Sequence, residues 1–140
     1  MRFEGKLVAP AGKKNRYWAV EIPLLFIHTQ GKDQKEALLM AKDAIESLVD
    51  KKGFKVKVHL STDDTFTIDS SDRTLFLAFL LKRQREFHSL TVRQVAERMH
   101  SKSPNAYAQY EQGKVTPSMD KLVQLLQAIN PAFQPVLKAA

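Results

Sequence analysis

The run from Leu90 to Ser118, LTVRQVAERMHSKSPNAYAQYEQGKVTPS, constrains the fold more than any other stretch. Leu90, Val95, Ala96 and Met99 recur at a spacing that places them on one helical face, able to pack against a neighbouring helix. His100 to Lys102 interrupt that pattern. Ser103-Pro104 then predicts a helix start, with serine as the cap and proline at the first helical position, where its missing N–H costs nothing. Tyr107 and Tyr110, three apart, point inward, and Asn105, Ala106 and Gln109 point outward. Gly113 predicts a left-handed helix stop, with Lys114 just beyond it. The expectation is two short helices joined by a polar turn, the second carrying a polar outer face.

That pattern resembles the helix-turn-helix of phage-type, Cro-like repressors, which runs L-T-x-x-x-L-A-x-x-apolar, then a turn, then a helix ending E-x-G-K-x-x-P-S. The matching residues are Leu90-Thr91, Val95-Ala96, Met99, Glu111, Gly113-Lys114 and Pro117-Ser118. The turn is one residue longer than usual, and His100 stands where the family has a small residue. The resemblance implies binding of double-stranded operator DNA, with the second helix in the major groove. Asn105 and Gln109, four apart on the outer side, are the candidate base readers, because an amide can hold an adenine edge with two hydrogen bonds. Lys102, Ser103 and Lys114 are candidate phosphate contacts. Arg93 and Gln94, opening the first helix, are candidates for phosphate or base contact. A merely solvated helix surface is the alternative for all seven. Tyr107, Tyr110 and Leu122 are assigned to the core, and Glu111 to structure.

The chain has 140 residues, enough for one domain or two small ones, with 44% hydrophobic and 26% charged residues. It has no cysteine, which excludes a disulfide scaffold, a cysteine nucleophile and thiolate metal sites, and fits a cytoplasmic location. No run is long and apolar enough to span a bilayer, and MRFEGKLV lacks the apolar core of a signal peptide. The net charge of +7 is unevenly spread: +5 over residues 1–60, −4 over 61–72 and +6 over 73–140. The acidic, Ser/Thr-rich STDDTFTIDSSD (61–72) is expected to be a linker between domains at 1–60 and 73–140. Its Asp63, Asp64, Asp69 and Asp72 are either simply solvated or a mimic of RNA phosphate offered to a basic partner. A basic domain carrying the repeat-free helical motif suits phosphate backbone.

The N-terminal part reads as three strands, a helix and a strand: Phe3 to Ala9, Tyr17 to Ile22, Phe26 to Thr29, a helix opened by Asp33 and Glu36 as a capping box, and Val56 to Leu60. The helix carries Ala37, Leu38, Ala41, Ala44, Ile45 and Leu48 on one side, and Lys35, Lys42, Asp43, Glu46 and Asp50 on the other, with Gly53 as its stop. One helix covers one face of such a sheet, so the other must meet solvent, a partner or a second copy. Residues 17–50 resemble the HicB antitoxins, through Tyr17-Trp18, Val20, Pro23, Thr29-Gln30-Gly31, Glu36-Ala37-Leu38, Ala41 and Ala44-Ile45. Leu24-Leu25-Phe26 replace that family's usual turn. The resemblance implies an α+β fold, a small antiparallel or mixed truncated RNase H-like sheet with one helix, followed by an all-α helix-turn-helix domain.

Two further helices complete the C-terminal part. Thr74 to Phe87 is apolar almost all round its first two turns, more than a helix-turn-helix core needs, so it is expected to form a homodimer contact or to dock on the N-terminal domain. Ser118 caps the last helix, whose stripe is Leu122, Leu125, Leu126 and Ile129, and Pro131 ends it. The apolar tail (Phe133, Pro135, Val136, Leu137) is expected to pack.

Catalysis is not expected. Glu4 and Glu21 are the only strand carboxylates before residue 61, and His28, His59, His88 and His100 are scattered, none at metal-ligand spacing with another. Together the two resemblances imply an antitoxin needing no cofactor, binding a small HicA-type RNA-cleaving toxin and repressing its own operon as a homodimer or homotetramer. The alternative is a stand-alone repressor whose N-terminal domain oligomerises or senses another ligand.

Overall fold

A computed structural model describes residues 1–139 and divides the chain into two compact units, Met1–Arg73 and the remainder from Thr74. The first unit contains strands β1 (Phe3–Val8), β2 (Trp18–Ile22), β3 (Ile27–Gly31), β4 (Val56–Leu60) and β5 (Thr65–Ser70), with helix α1 (Gln34–Val49) between β3 and β4. The strands form one sheet in the order β3-β2-β1-β5-β4, every ladder antiparallel. Alternation decides which face is covered. Phe3 and Leu7, Val20 and Ile22, Ile27, Val56, Phe66 and Ile68 are buried, together with Ala37, Ala41 and Ile45 of α1. Alanines on that helix face let α1 lie close to the sheet.

Gly31 is the tightest point of that packing. A Cβ there would stand 2.3 Å from the Ala37 backbone nitrogen, so the last residue of β3 has no side chain because the first turn of α1 crosses over it. Asp33 caps α1, its Oδ1 accepting from Glu36 N–H at 2.7 Å. Two expectations for α1 fail. Asp50, at φ 50°, is the left-handed cap, and Gly53 serves the turn that follows. Leu48, placed on the apolar side by periodicity, is 50% exposed because that side rotates away from the sheet in the last turn.

The segment 61–72, expected as a linker, holds β5, an interior strand that lies between β1 and the edge strand β4. Phe66 and Ile68 point into the core between Thr65, Thr67 and Asp69, so the polar composition conceals a period of two. The unit therefore extends to Arg73 rather than to 60. Of the acids in this segment, Asp69 pairs with Arg2 (3.4 Å) and lies 3.6 Å from His59, and Asp64 accepts from the Thr62 hydroxyl at 2.8 Å. On the helix-free face, the cross-strand pairs Lys6–Glu21, Glu21–His28, Glu4–Thr67, His59–Thr67 and Lys57–Asp69 alternate in charge or polarity.

The second unit is all-helical: α2 (Arg73–Phe87), α3 (Val92–Arg98), α4 (Asn105–Glu111) and α5 (Met119–Ile129). Six consecutive residues of α2, Phe76 to Leu81, are at most 7% exposed within a single copy of the chain. Leu122, Leu125, Leu126 and Ile129 form the buried stripe of α5, and Ser118 accepts from Lys121 N–H. Val136 and Leu137 of the tail are 78% and 97% exposed, so the tail does not pack within one chain. No described helix is long and apolar enough to cross a membrane.

Glu46 ties α1 to the edge strand β4. Its carboxylate accepts from Val56 N–H at 3.0 Å and pairs with Lys42 (3.1 Å) and Lys55 (3.6 Å). Partial burial alone would raise this carboxyl's pKa. The Val56 hydrogen bond and the two lysines outweigh it and hold the group below its ordinary 4.5. Its stabilisation is therefore present above pH 4.5 and lost as pH falls through the lower folded-state value. In urea unfolding followed by the fluorescence of Trp18, the chain's one tryptophan, Glu46→Gln should be less stable than the parent at neutral pH, with the difference closing below about pH 4.5.

Candidate nucleic-acid interface

Local rules set the two helices of the motif. Thr91 and Gln94 form a reciprocal capping box at the start of α3: Thr91 Oγ1 accepts from Gln94 N–H at 3.1 Å, and Gln94 Oε1 accepts from Thr91 N–H at 2.8 Å. Pro104 has helical dihedrals just before α4 and its carbonyl accepts from Ala108 N–H. Ser103 Oγ accepts from Asn105 N–H at 3.2 Å, the capping role expected of it.

Three successive helices end in the same closure. After α4, Gly113 N–H donates to the Tyr110 carbonyl and Lys114 N–H to the Gln109 carbonyl, with Gly113 at φ 73°. The same pair of bonds follows α2, with Ser89 at φ 56°, and α3, with His100 at φ 57°. His100 therefore occupies the left-handed turn position, at a cost of about 1 kcal/mol that glycine would avoid. Glycine suits Gly113 through its left-handed conformation; a Cβ there would also come within 2.7 Å of the Leu75 Cδ2 methyl, which would have to shift.

Arg85 holds the unit together. Its Nε donates to both oxygens of Glu111, at 3.1 and 2.8 Å, its Nη2 donates to Glu111 as well, and its Nη1 donates to the Leu90 carbonyl at 2.9 Å. One guanidinium thus joins the end of α2, the end of α4 and the loop before α3. Both side chains are largely shielded, 15% and 9% exposed. The Glu111 hydrogen bond, set against burial, raises the Arg85 pKa, so the pair remains charged. Tyr107 lies buried beside it, 2% exposed, its hydroxyl outside hydrogen-bonding geometry with any described partner. Burial, then the charge of Glu111, pushes its ionisation far upward, so it is a neutral core residue.

The anticipated interface residues are all exposed: Arg93 and Gln94 at the start of α3, Lys102 and Ser103 in the turn, Asn105 and Gln109 on α4, and Lys114 after it. Asn105 and Gln109 share the outer side of α4, opposite Tyr107. Gln94 and Ser103 also serve as caps. Sequence reasoning missed Gln112, exposed and seven residues after Asn105, which extends the same amide stripe; a seven-residue spacing was the available signal. It also missed Arg98, whose Nη1 donates to the Ala128 carbonyl at 3.0 Å and so satisfies the end of α5. Among the described residues, no three His, Asp or Glu side chains converge as a metal site would require.

Residues 81–130 match the family described as helix-turn-helix. That span takes in the second half of α2, all of α3 and α4, and α5. That match supports DNA binding by the second unit, through a helix-turn-helix of the phage repressor, Cro-like kind found in transcriptional regulators. No curated protein matches the chain.

The shielded pair carries a stability prediction. Removing either partner leaves the other charge without its counterpart, so Arg85→Met and Glu111→Leu should each destabilise the second unit by about 3 kcal/mol. The combined Arg85→Met/Glu111→Leu chain should lose far less than the sum of two such losses. Urea unfolding followed by helical circular dichroism measures all three; additive losses would show that the two residues act separately.

Proposed function

We propose that the chain is a HicB-type antitoxin: its first unit binds and occludes a small HicA-type RNA-cleaving toxin, and its second represses the operon that encodes both. The observation that carries this reading is the pairing of a helix-turn-helix with a sheet covered on one face only. The helix-free face presents the exposed Glu4, Lys6, His28, Lys57 and His59, with the half-buried Glu21 and Asp69 among them, both signs of charge interleaved. A scaffold used only to oligomerise or to bury a small ligand would gain more from an apolar surface or a closed cavity. Residues 17–50 add the likeness to HicB antitoxins. Inhibition by occlusion needs no cofactor and no catalytic residue.

On DNA, the second unit acts as a pair of copies on a palindromic operator, with half-sites about one helical turn, 34 Å, apart. Asn105 and Gln109 read bases, Lys102, Ser103 and Lys114 hold phosphates, and Arg93 and Gln94 approach the backbone or a base edge from α3. Asn105→Ala should narrow the gap between operator and random DNA, while Lys114→Ala should weaken both alike and flatten the salt dependence by about one unit of slope. Equal losses on both duplexes for both variants, in titrations at several salt concentrations, would contradict these roles.

The partner is tested by isolating the protein at natural abundance and weighing the intact complex by native mass spectrometry. A small second chain at fixed stoichiometry, which cleaves RNA when freed, is the expected result. A pure homo-oligomer that still retards its own promoter DNA would instead identify a stand-alone repressor.

A further inference from the structure

The loop between β1 and β2 is long for a hairpin and has no structural reason to be so. Nine residues, Ala9 to Tyr17, join two antiparallel neighbours that a connection of two to five would ordinarily serve. All but Pro10 are exposed. Gly12, at φ 82°, has open space where a Cβ would stand, so no packing demands its turn. Internal order comes from Asn15, whose Oδ1 accepts from Tyr17 N–H at 3.2 Å.

Its chemistry is one-sided. Lys13, Lys14 and Arg16 lie within four positions, and the nine residues contain no acid. Among the described residues, none of the three has a carboxylate within ion-pairing distance, whereas Arg2, Lys42 and Lys55 of the same unit each have one. The nearest acids by strand register are engaged locally: Asp33 caps α1, and Asp64 accepts from the Thr62 hydroxyl. Tyr17, 43% exposed, closes the loop with a flat aromatic surface.

We propose that this loop is a second phosphate-binding element, which grips the backbone of the same duplex that the helix-turn-helix unit reads. This rests on the DNA-binding reading above. A loop of three unpaired cations has little affinity of its own. Carried on a chain already held to DNA, its encounter with a flanking phosphate becomes intramolecular, and a weak contact then adds usefully to the whole. The contact is blind to sequence, since Lys and Arg meet phosphate rather than base edges. It gives a role to an acid-free cluster of three cations on an exposed loop.

The test uses the full chain and a random-sequence DNA duplex, titrated by fluorescence anisotropy over a range of salt concentrations. The slope of log affinity against log salt counts the phosphates neutralised, at about 0.9 per contact. Lys13→Ala/Lys14→Ala/Arg16→Ala should flatten that slope by about two to three units, and Lys13→Arg/Lys14→Arg should restore it to the parent value. The loop lies outside the core, so the thermal midpoint should be unchanged and confirms that each variant is folded. An unchanged slope in the triple variant, alongside a slope that still falls in Lys102→Ala/Lys114→Ala, would overturn the loop contact and leave the helix-turn-helix reading intact. A parent chain that binds no duplex would overturn both. Loop-dependent binding that is tighter to single-stranded RNA than to duplex would overturn the assignment to DNA.

Discussion

The Arg85–Glu111 pair is the constraint on which the DNA-binding unit depends. Short helices are not stable alone, and α3 and α4 have seven residues each. Their relative placement must come from tertiary contacts. Apolar packing supplies most of the cohesion, through Val95, Ala96, Tyr107 and Leu122, but apolar packing tolerates rotation and sliding. A guanidinium bound through two nitrogens to one carboxylate, and through a third to the Leu90 carbonyl, does not. Because Glu111 is the last residue of α4, fixing it fixes the helix whose outer side carries Asn105 and Gln109. Misplacement by an ångström at Glu111 would directly reach the side chains proposed to read bases.

A comparable logic governs the first unit, where one element must be held at a sheet edge. β4 is an edge strand, and its first backbone N–H, at Val56, is satisfied by Glu46 from α1 rather than by another strand. Lys42 and Lys55 then neutralise a carboxylate that would otherwise be costly to shield. Gly31 does the corresponding work at the other edge, letting the start of α1 cross β3 at backbone contact distance. The helix is thus pinned at both ends to opposite edges of the sheet, which leaves the second face to its polar, mixed-charge surface.

The parts of this structure that were legible in the sequence are those written in short-range signals. Caps at Asp33, Ser103 and Ser118, the stop at Gly113, and the Leu122–Leu125–Leu126–Ile129 stripe each declare themselves within a few residues. β5 was hidden because its strand pattern rests on two apolar residues, Phe66 and Ile68, set among Ser, Thr and Asp, a composition that normally marks a loop. Threonine is nonetheless β-branched and suits a pleated half-buried surface, so the alternation outweighed the composition. The Asp50 cap was missed for the opposite reason: glycine is the usual choice for a left-handed residue, and Gly53 was close enough to mislead. Arg85 and Arg98 act on partners 26 and 30 residues away, beyond what any periodicity records.

The candidate interface is best understood through what the fold leaves uncommitted. The unit spends its polar side chains freely on its own backbone. Thr91, Gln94, Ser103 and Ser118 cap helices, Arg98 closes α5, and Arg85 serves α4 and the Leu90 carbonyl together. Against that background, the side chains of Asn105, Gln109 and Gln112 have no hydrogen-bond partner among the described residues, although amides offer donors and acceptors on both sides. They stand at positions i, i+4 and i+7 of one short helix, spanning about 10 Å along its axis, the rise of roughly three base steps. Asn105 is a weaker helix former than the Lys or Glu a purely solvated surface would favour there. The same unit accepts about 1 kcal/mol of backbone strain at His100 to turn the chain between α3 and α4. Local stability has been given up at the turn, and hydrogen-bonding capacity left unused on the face it orients, as expected of a surface completed by another molecule.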